Sequence, residues 1–285
     1  MPLARIDTIP ALRERLTIDR SAGRIVGLVP TMGALHEGHL SLITRARPEC
    51  QVVVVSIFVN PLQFDRPEDL SSYPRALDAD LRLCASADAD IVFAPEGSEI
   101  YPRPLDCTVD VGRVADHLCG RTRPGHFRGV ATVVMKLFQI AQPHRAYFGK
   151  KDAQQLAVIR RLVSDLNVPV TIVGVPTVRE ADGLALSSRN RRLSPEDRRI
   201  APALYEALRA AQQRIADGDA DAERVCRMAA DMIRQRPGVR LEYFEVVEPD
   251  EMQPVQAVHG PVVAAGAVWI GSTRLIDNVV CVPPA

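Results

Sequence analysis

The chain has 285 residues, 47% hydrophobic and 25% charged, and its 35 basic residues balance 35 acidic ones. That length allows one large or two modest domains around a substantial core, and zero net charge gives no support to a generally basic nucleic-acid-binding surface, leaving room for a local cationic pocket. The six cysteines have no C-x-x-C spacing, Asp7 and Glu14 stand where a signal peptide would be apolar, and no apolar run nears the roughly eighteen residues needed to span a bilayer; a cytoplasmic protein with reduced thiols, no membrane partner and no nucleic-acid partner is expected.

In chain order, the first strong signal is an apolar strand over 25–29. A glycine-containing turn follows, Pro30-Thr31-Met32-Gly33-Ala34-Leu35-His36-Glu37-Gly38-His39, and then a helix over 39–47. The run 52–59 is almost continuously apolar, the pattern of a central parallel strand covered on both faces. Further strands are expected at 91–94, 146–148 and 170–175, alternating with helices at 75–87, 130–141 and 153–167. In the last of these, Leu156, Ile159, Val163 and Leu166 recur at helical spacing before Asn167 and Pro169 end it. Such alternation predicts an α/β fold with a Rossmann-like, doubly wound parallel sheet.

Beyond about residue 180 the character changes. Ser194-Pro195-Glu196-Asp197 reads as a helix start with Pro at its first position, opening one long helix to about 216. A second helix is expected over 220–236, then strands at 240–247, 262–269 and 275–280 with Gly271-Ser272 as a turn. Two domains are therefore expected: 1–180, binding the ligands, and a smaller C-terminal α+β domain, 181–285, closing over the active site.

Ligands in doubly wound sheets sit at the carboxyl ends of strands. Four polar loops follow such ends: the 30–39 turn, Asn60-Pro61-Leu62-Gln63-Phe64, Gly149-Lys150-Lys151-Asp152 and Thr177-Val178-Arg179. Strand, glycine turn and helix start form an anion site, with backbone N–H groups and helix dipole directed at a phosphate. His36 and His39 share one face of the first helical turn, where two imidazoles can donate to a polyphosphate that is gaining charge. That combination points to nucleotidyl transfer. The turn is neither the G-x-G-x-x-G fingerprint nor the Walker loop. A zinc half-site is the competing reading of the histidine pair, but no Cys or carboxylate cluster lies nearby to complete it. Leu186-Ser187-Ser188-Arg189-Asn190 offers an Arg and two hydroxyls to phosphate oxygens, or is a solvated basic turn continuous with Arg191 and Arg192. Lys150 and Lys151 are open to the same two readings.

Five blocks, in order, resemble the pantothenate synthetase family: Met32 to His39, Phe58 to Phe64 around Gln63, Arg123-Pro124-Gly125-His126 to Val130, Phe148 to Gln155, and Leu186 to Asn190. They span about 25–195, and the later chain resembles the family more weakly. The resemblance implies a His-x-Gly-His nucleotidyltransferase joining pantoate to β-alanine with ATP and Mg²⁺, through a pantoyl-adenylate, as a homodimer. It implies that 32–39 is the ATP loop, with His36 and His39 on the phosphates and His39 the catalytic proton donor. It implies that Gly149, Lys150, Lys151, Asp152 and Val178 contact adenosine, with Lys151 also on phosphate, and that Leu186, Ser187, Ser188 and Arg189 form a second phosphate loop. Gln63 and Gln155 would clamp pantoate. The metal ligands stay unassigned. Ala153, where the family often has an aromatic residue, and Leu62 are slight departures. The alternatives are another His-x-Gly-His nucleotidyltransferase and a non-catalytic nucleotide-binding module.

Overall fold

The computed structural model describes residues 3–284. The chain forms two compact units: one runs to Val111 and adds Pro124–Lys150 and Val158–Pro176, and the other gathers Gly112–Arg123, Lys151–Ala157 and the chain from Thr177 on.

The strands of the first unit are β1 (Ala4–Ile6), β2 (Val26–Thr31), β3 (Val52–Ile57), β4 (Ile91–Phe93), β5 (Arg145–Gly149) and β6 (Thr171–Val175). They form one parallel sheet in the order β1-β4-β3-β2-β5-β6. From β2 the chain winds outward through β3 and β4, then returns to β5 on the other side of β2. This reversal makes the ends of β2 and β5 the switch point at which ligands bind in open parallel sheets. The apolar run in β3 behaves as its pattern requires: Val52, Val53, Val54 and Val55 are all buried, in register with Val26 to Val29 of β2. The expected α/β, doubly wound parallel sheet with a smaller α+β part is the fold found.

The helices are α1 (Ile9–Ser21), α2 (Glu37–Ala46), α3 (Pro67–Ser71), α4 (Leu77–Ser86), α5 (Gly97–Ile100), α6 (Leu118–Thr122), α7 (His126–Ala141), α8 (Ala153–Asp165), α9 (Pro195–Ile200), α10 (Ala203–Ala216) and α11 (Ala222–Arg234). Leu42, Ile43 and Ala46 of α2 pack with Val29, Val53, Val55 and Val92 in one core cluster. The sequence reading missed β1 and α1. Of the thirteen residues of α1 only Leu12, Leu16 and Asp19 are buried, so its apolar stripe is thin, and β1 is a three-residue edge strand. The single helix expected from 194 to 216 is two helices, because Pro202 cannot donate the backbone bond that would continue the first turn pattern.

In the second unit, β7 (Val239–Val247), β8 (Val262–Ile270) and β9 (Thr273–Cys281) form an antiparallel sheet with β8 central. Leu204, Ala207, Leu208 and Ala211 of α10 and Val225, Ala229 and Ile233 of α11 cover it at helical spacing.

Candidate active site

The turn after β2 is left-handed at two successive residues, Gly33 (φ 82°) and Ala34 (φ 51°). Gly33 is required twice over: its φ suits glycine, and an added Cβ would lie 3.0 Å from both Asp80 Oδ2 and Ile57 Cγ2. The backbone N–H groups of Gly33, Ala34, Leu35, His36 and Gly38 have acceptors within the fold. Gly33 N–H donates to Thr31 Oγ1 (3.2 Å), and Ala34 and Leu35 N–H donate to the two carboxylate oxygens of Asp80 (2.9 and 2.8 Å). His36 N–H donates to His39 Nδ1 (3.3 Å), and Gly38 N–H to His36 Nδ1 (3.1 Å). These bonds leave fewer amides of the turn for an anion than the sequence alone suggests. The two imidazoles cap α2 reciprocally, their ring centroids 4.1 Å apart. A ring whose Nδ1 accepts a backbone N–H carries its proton on Nε2, so each is a neutral Nε2–H donor of fixed orientation. Met32, Gly38 and His39 are half-buried, and Glu37 is exposed.

Gln63 ends a short 3₁₀ turn, Pro61–Gln63, after β3. Its side chain is oriented from both ends: Oε1 accepts from Asn60 Nδ2 (3.0 Å) and Nε2 donates to Met32 Sδ (3.2 Å). Asn60 is buried, also donating to Gly129 O (3.1 Å) and accepting from the Tyr101 hydroxyl (2.8 Å). Burial pushes the Tyr101 pKa up, keeping that phenol a donor. His126 Nδ1 donates to Gln63 O (2.7 Å), and α7 passes so close that a Cβ on Gly129 would lie 2.2 Å from Leu62 O. Met32 and Gln63, predicted for different ligands, are thus brought into contact.

In the second unit, β9 bonds to the Lys151 backbone and to Arg179 of the 178–189 loop. After Gly149 ends β5, Lys150 is exposed while Lys151, in the 3₁₀ turn Lys150–Asp152, is only 18% exposed, with Nζ 3.8 Å from Asp152. Burial separates the two lysines that sequence could not. Asn278 Nδ2 of β9 donates to Lys151 O (2.8 Å). Gln155 is half-buried beside the buried Gln154, whose amide donates to Val114 O and His117 O.

The Val178–Arg189 loop is rooted on the same strand. Arg179 makes two bonds to Asp277 (2.5 and 2.9 Å), donates to Gly183 O (3.0 Å), and lies 4.1 Å over the Tyr205 ring. Leu186 N–H donates to Val178 O (3.0 Å), closing the loop on itself. Ser187 Oγ accepts from Arg189 N–H (3.2 Å) and starts a 3₁₀ turn, Ser188–Arg192, with Ser188 buried. Arg198 reaches back to Glu180 and Asp182 (2.6 Å each), and its guanidinium holds the Asp182 carboxyl below the usual range. Sequence reasoning assigned no role to Asn60, Asp80, His126, Asp277 or Asn278. Asn60 and His126 sat inside quoted motifs, whereas Asp80 and the β9 pair gave no local signal.

The family model for pantoate–β-alanine ligase matches residues 4–280. A pantothenate synthetase of Heliobacterium modesticaldum is 52% identical over 275 residues, 95% of this chain and 98% of that protein. A bifunctional pantoate ligase/cytidylate kinase of Thermosynechococcus vestitus is 54% identical over 261 residues, and the chain spans about half (51%) of that longer relative. The crystal structure of pantothenate synthetase from Thermus thermophilus superposes with a TM-score of 0.91 at 47% identity, covering 97% of this chain and 98% of that one. That of a pantoate–β-alanine ligase from Francisella tularensis, complexed with β,γ ATP and β-alanine, gives 0.79 at 38% identity, covering 97% of both.

Proposed function

The chain belongs to the pantoate–β-alanine ligase family, and on that premise we propose that it condenses pantoate with β-alanine at the expense of ATP. The observation that carries the reading is the pair of neutral imidazoles at the end of β2, each locked through Nδ1 so that its proton sits on Nε2, from which it can donate to a phosphate.

The pantoate carboxylate attacks the α-phosphorus, an O–P bond forms, and the bond to pyrophosphate breaks. Charge then builds on the departing pyrophosphate. His36 and His39 donate hydrogen bonds to it through Nε2–H and keep their protons, Ser187 and Ser188 donate from their hydroxyls, and Lys151 and Arg189 neutralise it. The backbone of 32–39 with Gly149, Lys150, Asp152, Val178 and Leu186 lines the nucleotide. Gln63 and Gln155 hold pantoate, and the preset amide of Gln63 offers it a defined donor and acceptor. The neutral β-alanine amine attacks the acyl carbon, forming the amide bond, expelling AMP and losing a proton. Positioning supplies most of that second step.

Mg²⁺ accompanies the nucleotide. Among the described residues no three His, Cys, Asp or Glu side chains cluster to hold a metal. Mg²⁺ keeps several waters and binds mainly through substrate phosphates with one or two carboxylates, so it does not require such a cluster. When bound it neutralises triphosphate charge. The same reading makes the protein a cytoplasmic homodimer; among the described residues no helix is long and apolar enough to cross a membrane.

The test is AMP release from ATP with pantoate and β-alanine, omitting each in turn. AMP that needs both acids supports the ligase. A nucleotidyl group retained on an acceptor overturns it in favour of another nucleotidyltransferase, and tight ATP binding without turnover favours a binding module.

A further inference from the structure

Two successive left-handed residues, one of them alanine, are costly for a loop of L-residues and persist only where the surroundings over-determine them. Asp80 is what over-determines this turn. It lies in the first turns of α4, some 45 residues from the loop in sequence, and is only 2% exposed. Both carboxylate oxygens are aimed at the turn, one to Ala34 N–H and one to Leu35 N–H, and Oδ2 marks the wall that an added Gly33 Cβ would strike. The residue after Leu35 is His36, the N-cap of α2. The direction in which Ala34 and Leu35 are held therefore sets where the helix starts and where both rings point.

We infer that Asp80 is the positioning residue of the histidine turn: its buried carboxylate turns the 34 and 35 amides inward, fixes the left-handed Ala34, and so presents His36 and His39 to the nucleotide without touching it. The inference rests on reading 32–39 as the ATP loop. A carboxylate suits this task and a carboxamide does not. Two N–H donors need two acceptor oxygens, and asparagine offers one oxygen and an NH₂ that would face the second N–H donor to donor.

Asp80→Asn, made in the full chain, tests this with three readouts: the ATP dissociation constant by calorimetry, the separate KM values for ATP and pantoate, and amide exchange at Ala34 and Leu35. The expected result is ATP affinity weakened tenfold or more, pantoate KM within twofold of the parent, and lost protection at one or both amides. Adding Ala34→Gly, which removes the cost of the left-handed φ, should recover at least threefold of the ATP affinity. Gly33→Ala, which pushes on the carboxylate from the loop side, should give the same split and serves if Asp80→Asn does not fold. Unchanged ATP affinity, amides that stay protected, or KM values that rise together for both substrates in step with a falling Tm would overturn the inference. If the parent binds ATP but releases no AMP with the two acids, the ligase reading fails while the ATP comparison still decides the role of Asp80. A parent that binds no ATP overturns both.

Discussion

The two loops for which we propose phosphate contacts are held in different ways. The turn at 32–39 is fixed by buried or half-buried bonds to its own backbone: Asp80 on two amides, and the two imidazoles on each other's turn. Its working groups are neutral and have little freedom. The loop from Val178 to Arg189 has a firm root, Arg179 on Asp277, and a softer tip, where Arg198 reaches Glu180 and Asp182 in pairs each about a third exposed. Its working groups are a full charge and hydroxyls, and a charge acts at longer range and tolerates looser placement than a hydrogen bond. On the proposed reading the first loop supplies geometry and the second supplies charge.

The root gives the sharpest test of that contrast. Arg179→Ala strips the partner from Asp277, which is almost fully buried. Leaving a buried charge uncompensated costs about 3–5 kcal/mol. Chemical denaturation should show a loss of that size, and a loss under about 1 kcal/mol would mean the loop is not rooted there. Next comes the charge itself. Lys151→Ala should cut adenylation by on the order of 10²–10³, the usual loss for one electrostatic contact to a developing anion. Its backbone is held separately by Asn278, so Tm should hardly move. Near-normal turnover would remove Lys151 from the reaction.

On the neutral side, His36→Ala and His39→Ala should each slow pantoate-dependent exchange of pyrophosphate into ATP by roughly 10–10³-fold, each removing a donor. Each also removes a cap of α2, so far-ultraviolet dichroism and Tm must be followed alongside. Tightly bound stoichiometric zinc whose removal abolishes exchange would instead make the pair a metal site. Smaller again, Gln63→Ala and Gln155→Ala should lower kcat/KM for pantoate about tenfold, since a stranded polar partner costs roughly 1–3 kcal/mol. Calorimetric ATP affinity should stay near the parent's. The opposite pattern would displace the pantoate pocket from these residues.

The contrast was only half legible in the sequence. The unbroken Val52 to Val55 run could only be a central strand, and the histidine turn announced a site because strand, glycine and helix start coincide within about fifteen residues. How the turn is held was invisible. Asp80 reads as one more acid on a helix until the fold brings it to residues 34 and 35. Asp277 and Asn278 read as a polar pair on a late strand until Arg179 and the Lys151 carbonyl are seen to end on them. Lys150 and Lys151 differ only in burial. Side chains that bind ligand sit in local motifs, whereas those that fix them act across long stretches of chain, and only the first kind leaves a pattern in one sequence.

The smallest expected effect is at the tip of the second loop. Arg198 holds the Asp182 carboxyl below its ordinary range, with a bond from Leu184 N–H adding to the shift. A carboxyl depressed in the folded state contributes stability above its unfolded pKa of about 3.9, and that contribution is lost as pH falls through the lower folded value. Asp182 is about two-fifths exposed, so solvent screening leaves the pair worth about 0–1 kcal/mol. Asp182→Asn should therefore lower Tm by no more than a few degrees at pH 7, and the difference from the parent should shrink below about pH 3.9 and vanish once pH passes the lower folded value, where the folded parent loses the same charge. ATP affinity should weaken no more than severalfold, because Arg179 still roots the loop and Glu180 still holds Arg198. A drop in ATP affinity as large as that expected for Asp80→Asn would break the comparison, since the tip would then be as tightly specified as the histidine turn. A Tm difference that persists unchanged at about pH 3 would show that the Asp182 side chain acts through packing or its bond to Leu184 and not through its charge.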